Sequence, residues 1–166
     1  SFIKTKLDKY LKNKLIFGTV LLANEGINGT ISGTKKDLEE FINLIKQTLK
    51  IRKLSLKITQ NKFIPFYRLK IRLKKEIVTI GDKTIKPEKF AGKHISPVKW
   101  DRIIHNKKYV IIDTRNDYEV SIGSFKNAIN PKTKSFRQFP KFIKKLNLKK
   151  NQPIAMFCTG GIRCEK

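Results

Sequence analysis

The residues whose types and spacing hold the most chemistry lie close together near the end of the chain: Cys158, Thr159, Gly160, Gly161, Ile162 and Arg163, followed at once by Cys164. The apolar run Ile154-Ala155-Met156-Phe157 leads into the first cysteine and reads as a buried strand. A chain that leaves a strand on a cysteine and turns through two glycines can aim several backbone N–H groups at the sulfur. An arginine beside that turn adds a fixed cation. Such a field favours thiolate over thiol, which makes Cys158 the candidate nucleophile. A cysteine at a strand end is also what a small buried hydrophobe looks like; the placing of Gly160, Gly161 and Arg163 decides for the reactive reading. Arg163 itself has three possible tasks: contacting a substrate phosphate, or pairing with Glu119 or with Asp113. Cys164 is either a resolving partner for an oxidised Cys158 or the occupant of the first turn of a following helix.

A second group, Asp113, Arg115 and Glu119, precedes the loop by some forty residues. Residues 109–112 form another apolar run that stops at Asp113. Two short apolar strands alternating with helical patterns indicate a parallel sheet, whose sites lie at the carboxyl ends of its strands. Asp113 and Cys158 both occupy such ends. Asp113, Arg115 and Glu119 are expected to brace the strand end and the neighbouring loop rather than to do chemistry. His94 and His105 are isolated, each a surface or capping histidine, and no His/Cys cluster has the spacing of a metal site.

The rest of the chain must position these residues. Helical spacing of Ile3, Leu7, Tyr10 and Leu11 predicts a helix over 2–15. Residues 15–22 read as a strand buried on both faces. Asn24-Glu25-Gly26 reads as a turn and 27–32 as a second strand. Glu25 and Asn28 are turn formers or nucleic-acid contacts. Thr34 is expected to cap a helix, with Asp37 at the capping-box position and Leu38, Phe41, Ile42, Ile45 and Leu49 along one stripe. Leu54, Leu56 and Ile58 alternate with polar residues, predicting a half-exposed strand. Helix, strand, strand, helix, strand is a ferredoxin-like (acylphosphatase-like) unit without its first strand. We place this domain at 1–80, a linker at 81–94 and an α/β domain at 95–166. In the latter, Ser96 and Pro97 start a helix carrying Val98, Trp100, Ile103 and Ile104. Residues 117–121 form a helical turn, and Ala128-Ile129 is a short strand. Ser135 caps a helix bearing Phe136, Phe139, Phe142, Ile143 and Leu146.

Charge adds a partner. The chain has 166 residues, with 38 Lys+Arg against 13 Asp+Glu, a formal net charge of +25. A field of that size attracts polyanions. A chain rich in Lys, Ile and Asn also gathers positive charge from composition alone, so the arrangement matters more than the total. Arg68, Lys70, Arg72 and Lys74 alternate with Leu69, Ile71 and Leu73. In an extended strand these four cations share one face at spacings of about 6.6 Å. Solvated edge lysines would look similar, but two arginines in register after two aromatics favour a phosphate-tracking surface. No apolar run approaches a membrane span and the start lacks a signal-peptide pattern. Two cysteines six positions apart make no disulfide framework. The expected location is cytoplasmic, with thiols kept reduced.

Residues 112–129 (IDTRNDYEVSIGSFKNAI), 131–139 (PKTKSFRQF) and 156–166 (MFCTGGIRCEK) resemble the rhodanese-like tRNA uridine(34) hydroxylases. Residues 21–33 (LLANEGINGTISG) and 67–78 (YRLKIRLKKEIV) resemble the N-terminal domain of the same family. The resemblance implies a rhodanese-like domain after the ferredoxin-like one, and hydroxylation of the wobble uridine at C5 to 5-hydroxyuridine. It implies tRNA, through its anticodon region, as partner, molecular oxygen as co-substrate, and Cys158 as the essential cysteine. No flavin, haem or metal motif is evident. Members of the family continue past the cysteine loop, so the chain reads as a fragment truncated just after it, whose isolated activity is doubtful. Four residues separate Cys158 from Arg163, one fewer than in Cys-x5-Arg phosphatase loops, which argues against phosphate chemistry. Two alternatives stay open: a rhodanese-type sulfurtransferase carrying a persulfide on Cys158, and a non-catalytic RNA-binding module.

Overall fold

The computed structural model describes residues 2–52, 54–82 and 84–166. They divide into two compact units that meet between Ile77 and Val78. No helix among the described residues is long and apolar enough to cross a membrane.

The first unit is built on strand β1 (Ile16–Ala23), which pairs antiparallel with β2 (Gly26–Gly33) and parallel with β3 (Leu69–Leu73), giving the order β2-β1-β3. Helices α1 (Phe2–Leu11) and α2 (Lys35–Leu49) supply the apolar stripes that cover it. Leu7, Leu11, Ile16, Val20, Leu22, Phe41, Ile45 and Ile71 form the core. Alternate β1 residues point into it while those between are half-buried, so the expected burial on both faces is not found. Gly18 is required where it stands: its φ is +123°, and a Cβ there would collide with the Thr30 carbonyl across the hairpin. Thr34 caps α2 as expected, its Oγ1 accepting the Asp37 N–H at 3.1 Å and donating to the Asp37 carboxylate at 2.9 Å. Lys14 ties the end of α1 to α2 through Glu40 (2.7 Å) and Asp37 (3.2 Å).

Two expectations for this unit change. Helix α1 ends at Leu11, not near 15. Residues 54–59 form no strand, and Ile58 is 82% exposed. A strand needs a neighbour with free N–H and C=O groups. Both edges of β1 are taken, one by β2 and the other by β3, so the third strand is the cationic segment. The ladder runs past β3 at both ends, from Gly18 N–H to the Arg68 carbonyl and from Lys74 N–H to the Leu22 carbonyl.

The second unit begins earlier than the expected linker allows. Ile80 is buried in its core, and Val78 and Ile85 pack on the same cluster as Ile112, Phe136 and Phe139. Within 81–94 lies the short helix α3 (Pro87–Phe90). Helix α4 (Pro97–Ile104) follows, with Ser96 Oγ accepting the Lys99 N–H, but its expected apolar face is only partly covered and Val98 is exposed. His105 sits at its C-terminal cap, Nδ1 2.8 Å from the Asp101 carbonyl. Strands β4 (Val110–Asp113) and β5 (Ile154–Phe157) run parallel, and a single bridge from Ile112 adds Ile129 on the other side of β4. The two strand ends, Asp113 and Phe157, are register partners. Between the strands come α5 (Asp117–Val120), a 3-10 turn (Phe136–Gln138) and α6 (Phe139–Lys145). Ser135 makes no capping bond; the stacked Phe136 and Phe139 rings, 5.2 Å apart, anchor that segment. Strand β5 was expected to be buried, yet only Ala155 is; Ile154 and Met156 stay exposed because the strand has one paired edge and one covered face.

Candidate active site

The parallel register of β4 with β5 brings both sequence-predicted groups to one end of the sheet. Thr114, one residue beyond β4, donates its N–H (3.0 Å) and its hydroxyl (2.9 Å) to the Phe157 carbonyl. That clamp fixes where Cys158 leaves the sheet. The loop then curls back on the sulfur. Gly161 has φ +83°, a left-handed conformation that glycine enters without strain, and Cys164 N–H reaches the Gly161 carbonyl at 3.0 Å.

Two carboxylate–arginine pairs hold this end. Asp113 is fully buried and binds Arg115 through both carboxylate oxygens, at 2.9 Å from Nε to Oδ1 and 2.7 Å from Nη2 to Oδ2. Ser124 adds a hydroxyl bond at 2.8 Å. Burial works to raise the Asp113 pKa, but the hydrogen bonds from Arg115 and Ser124 outweigh it and hold the carboxyl below its usual range. Arg115 Nη2 also donates to the Gly123 carbonyl, and the guanidinium lies 5.5 Å from the centre of the Phe157 ring. Glu119 accepts from Arg163 at 2.6 and 2.7 Å, from the Thr159 hydroxyl at 3.0 Å and from the Asn116 N–H at 3.1 Å. Arg163 above all, then the Asn116 and Thr159 bonds, pull its carboxyl down to about 2. Of the three tasks open to Arg163, pairing with Glu119 is the one the structure assigns.

Cys158 is half-buried, with a sulfur drawn far below the usual thiol range. The Cys164 thiol is the largest cause; the backbone N–H groups of Arg163, Cys164 and Gly160 add to it and together overcome the opposing effect of burial. Cys164 is pushed the other way, chiefly by donating to Cys158, and stays protonated. Its sulfur also lies 3.5 Å from the Thr114 hydroxyl. Within the chain, a turn of backbone amides and a neighbouring thiol lower the Cys158 pKa.

Beside the sulfur opens a cleft of about 350 Å³, lined by Arg115, Gly123, Ser124, Phe125, Phe157, Cys158 and Thr159. Phe125 and Phe157 meet edge to face, 4.8 Å apart, and Trp100 backs both rings at 5.4 and 5.7 Å. Sequence reasoning missed Thr114, Ser124 and Phe125 as parts of the site. Ser124 and Phe125 lie inside the segment quoted for its resemblance, and an aromatic two residues after Gly123 was the available signal. His94, read as a surface histidine, is exposed but touches the loop: Nε2 is 3.4 Å from the Glu165 carboxylate. The cations Arg68, Lys70, Arg72 and Lys74 belong to the first unit, on and flanking β3, with Arg72 exposed and Lys70 half-buried; none makes an ion pair among the described residues.

Comparison with known proteins agrees with this architecture. Residues 2–77 match the UPF0176 acylphosphatase-like domain and residues 96–166 match the rhodanese-like domain. A protein of Picosynechococcus sp. called tRNA uridine(34) hydroxylase is 50% identical over 152 residues, 91% of this chain and 51% of its own length. The chain thus spans about half the length of the curated relative it matches. It carries an acylphosphatase-like domain followed by a rhodanese-like one, and shares half of the aligned positions with that relative.

Proposed function

We propose that the protein of which this chain is part hydroxylates uridine 34 of tRNA at C5, with molecular oxygen as co-substrate and Cys158 as the essential nucleophile. The observation that carries the reading is a thiolate cradle opening onto an aromatic cleft of about 350 Å³. Phe125, 42% exposed, offers a face on which a planar pyrimidine can stack, and base–aromatic stacking contributes about 1–3 kcal/mol per base. Cys158 lines the same cleft, so a base bound there would lie beside the sulfur. The relative's name points to the same substrate. The first unit supplies the surface for the rest of the tRNA: Arg68, Lys70, Arg72 and Lys74 track the phosphates near the anticodon. The protein works in the cytoplasm, where the thiols stay reduced.

Nucleoside mass spectrometry of tRNA tests the reading. Cells lacking the full-length protein should lose 5-hydroxyuridine, and wild-type protein but not Cys158→Ser should restore it; an unchanged nucleoside profile refutes the assignment. Replacing Arg68, Lys70 and Arg72 by Gln should weaken tRNA binding and flatten its salt dependence by about three counterions; unchanged affinity and slope remove β3 from the interface. The amide cradle around Cys158 would also suit a persulfide, which is the sulfurtransferase reading. Thiocyanate release from thiosulfate and cyanide by the full-length protein would support it, and no turnover would remove it.

A further inference from the structure

The hydroxylation as read above gives the Cys164 sulfur no chemical step of its own. Cys164 is half-buried, and its thiol donates to the Cys158 sulfur while the Thr114 hydroxyl lies 3.5 Å from its own. The Cys164 backbone N–H reaches the Cys158 sulfur as well, so the turn through Gly160 and Gly161 brings both ends of the loop to one point.

Electron counting gives this pair a purpose. Placing one atom of dioxygen in the C5–H bond of a uridine leaves the second atom to be reduced to water, which takes two electrons and two protons. Two thiols passing to one disulfide release that number: U–H + O₂ + 2 R–SH gives U–OH + H₂O + R–S–S–R. We propose that Cys158 and Cys164 form a dithiol that supplies the electrons of the hydroxylation, so that each turnover ends in a Cys158–Cys164 disulfide. The proposal rests on the hydroxylation reading above.

Each step balances. The Cys158 thiolate adds to C6, and the electron pair of the C5=C6 bond moves to C5. The C5 carbanion bonds to dioxygen and the outer oxygen takes a proton, giving a 5-hydroperoxide. Loss of the C5 proton expels the Cys158 thiolate and restores the double bond. That thiolate attacks the outer peroxide oxygen; the O–O bond breaks, leaving 5-hydroxyuridine and, with one proton taken up, a sulfenic acid on Cys158. Cys164 sulfur attacks the sulfenic sulfur, the S–O bond breaks and water leaves. Cys164 is the neighbour required, and its thiol proton, held against Cys158 in the resting site, leaves with the water. An external thiol then reduces the disulfide.

The test uses full-length protein, reduced, freed of reductant, and mixed in air-saturated buffer with unmodified tRNA transcript. Without added thiol, 5-hydroxyuridine should stop at about one per chain, with a matching amount of disulfide joining the Cys158 and Cys164 peptides. Dithiothreitol should restore turnover. Cys164→Ser and Cys164→Ala should both fall about tenfold or more in product without added thiol and recover in part with it, whereas loss of a merely structural thiol would not be rescued. Product accumulating to many per chain with both cysteines still free overturns the proposal and leaves the hydroxylation standing. Absence of 5-hydroxyuridine from wild-type protein even with dithiothreitol overturns the hydroxylation reading, and the dithiol with it.

Discussion

The two carboxylate–arginine pairs beside Cys158 are chemically alike and do different work. Asp113 and Arg115 are two residues apart in the chain, and their carboxylate is wholly inside the protein. Glu119 and Arg163 are 44 residues apart, each about one-seventh exposed, and join α5 to the cysteine loop. The first pair finishes a strand: with Ser124 and the Gly123 carbonyl it fixes the segment after α5 against the end of β4. The second closes a loop: Glu119 holds Arg163 and Thr159, which flank the turn whose amides face Cys158. Breaking the first should cost stability; breaking the second should cost thiolate chemistry.

The largest effect should come from Asp113→Asn. It leaves the Arg115 guanidinium without its counter-charge, and breaking a buried pair costs about 3–5 kcal/mol. Denaturant unfolding of the second unit measures this. A loss below about 1 kcal/mol would mean that the pair is no more than a surface contact.

Glu119→Gln should cost less, about 1–3 kcal/mol for the charged hydrogen bonds lost, but should do more to the sulfur. With Arg163 and Thr159 released, the amides of Gly160 and Arg163 lose their aim. The alkylation rate of Cys158 at slightly acid pH should then drop while Asp113→Asn, where it folds, keeps it. Equal alkylation profiles for the two variants would erase the distinction between the pairs.

Titration sharpens the same contrast. The folded Glu119 carboxyl is depressed from 4.5 to about 2, so its contribution is fully present above the unfolded value and is lost as pH falls through about 2. Wild-type stability should decline across that window, and Glu119→Gln should lack this part of the decline. Cys158, depressed from 9.0, should alkylate at a rate nearly independent of pH from about 9 down to mildly acid conditions. A rate that falls tenfold per pH unit below 9 would show an ordinary thiol. Cys164→Ala, which removes the largest cause, should shift the profile toward higher pH.

The smallest effects separate the hydroxyls that serve each pair. Ser124→Ala strips a bond from the buried Asp113 carboxylate and should cost about 1–3 kcal/mol. Thr159→Val removes a solvent-accessible bond to Glu119 and should cost under about 1 kcal/mol. The reverse order in thermal unfolding would exchange the roles assigned to the two pairs.

Much of this site was legible in the residues. A short apolar run placed β5 at Ile154–Phe157, and the Thr34 and Ser96 caps were read from local side chains that bond to the backbone three residues on. The candidate thiolate and its glycine turn were legible for the same reason, since an amide cradle is made by consecutive residues. The failures share a cause as well. Alternation over 54–59 predicted a strand, but a strand exists only where a neighbour has an open edge, and β3 holds the remaining edge of β1. Ser135 has a capping side chain, yet packing of Phe136 and Phe139 set that turn instead.

What the sequence by itself determined is whatever depends on near neighbours: the two-domain order, the helix caps, the thiol at a strand end and its turn of glycines. Only the tertiary structure decided that Arg163 pairs with Glu119 rather than Asp113, that the Phe125 and Phe157 rings wall a cleft beside the sulfur, and that the Cys164 thiol faces Cys158. Each of these depends on the parallel register that sets Asp113 beside Phe157. Register is settled by the summed packing of both strands, a quantity that no short stretch of residues contains.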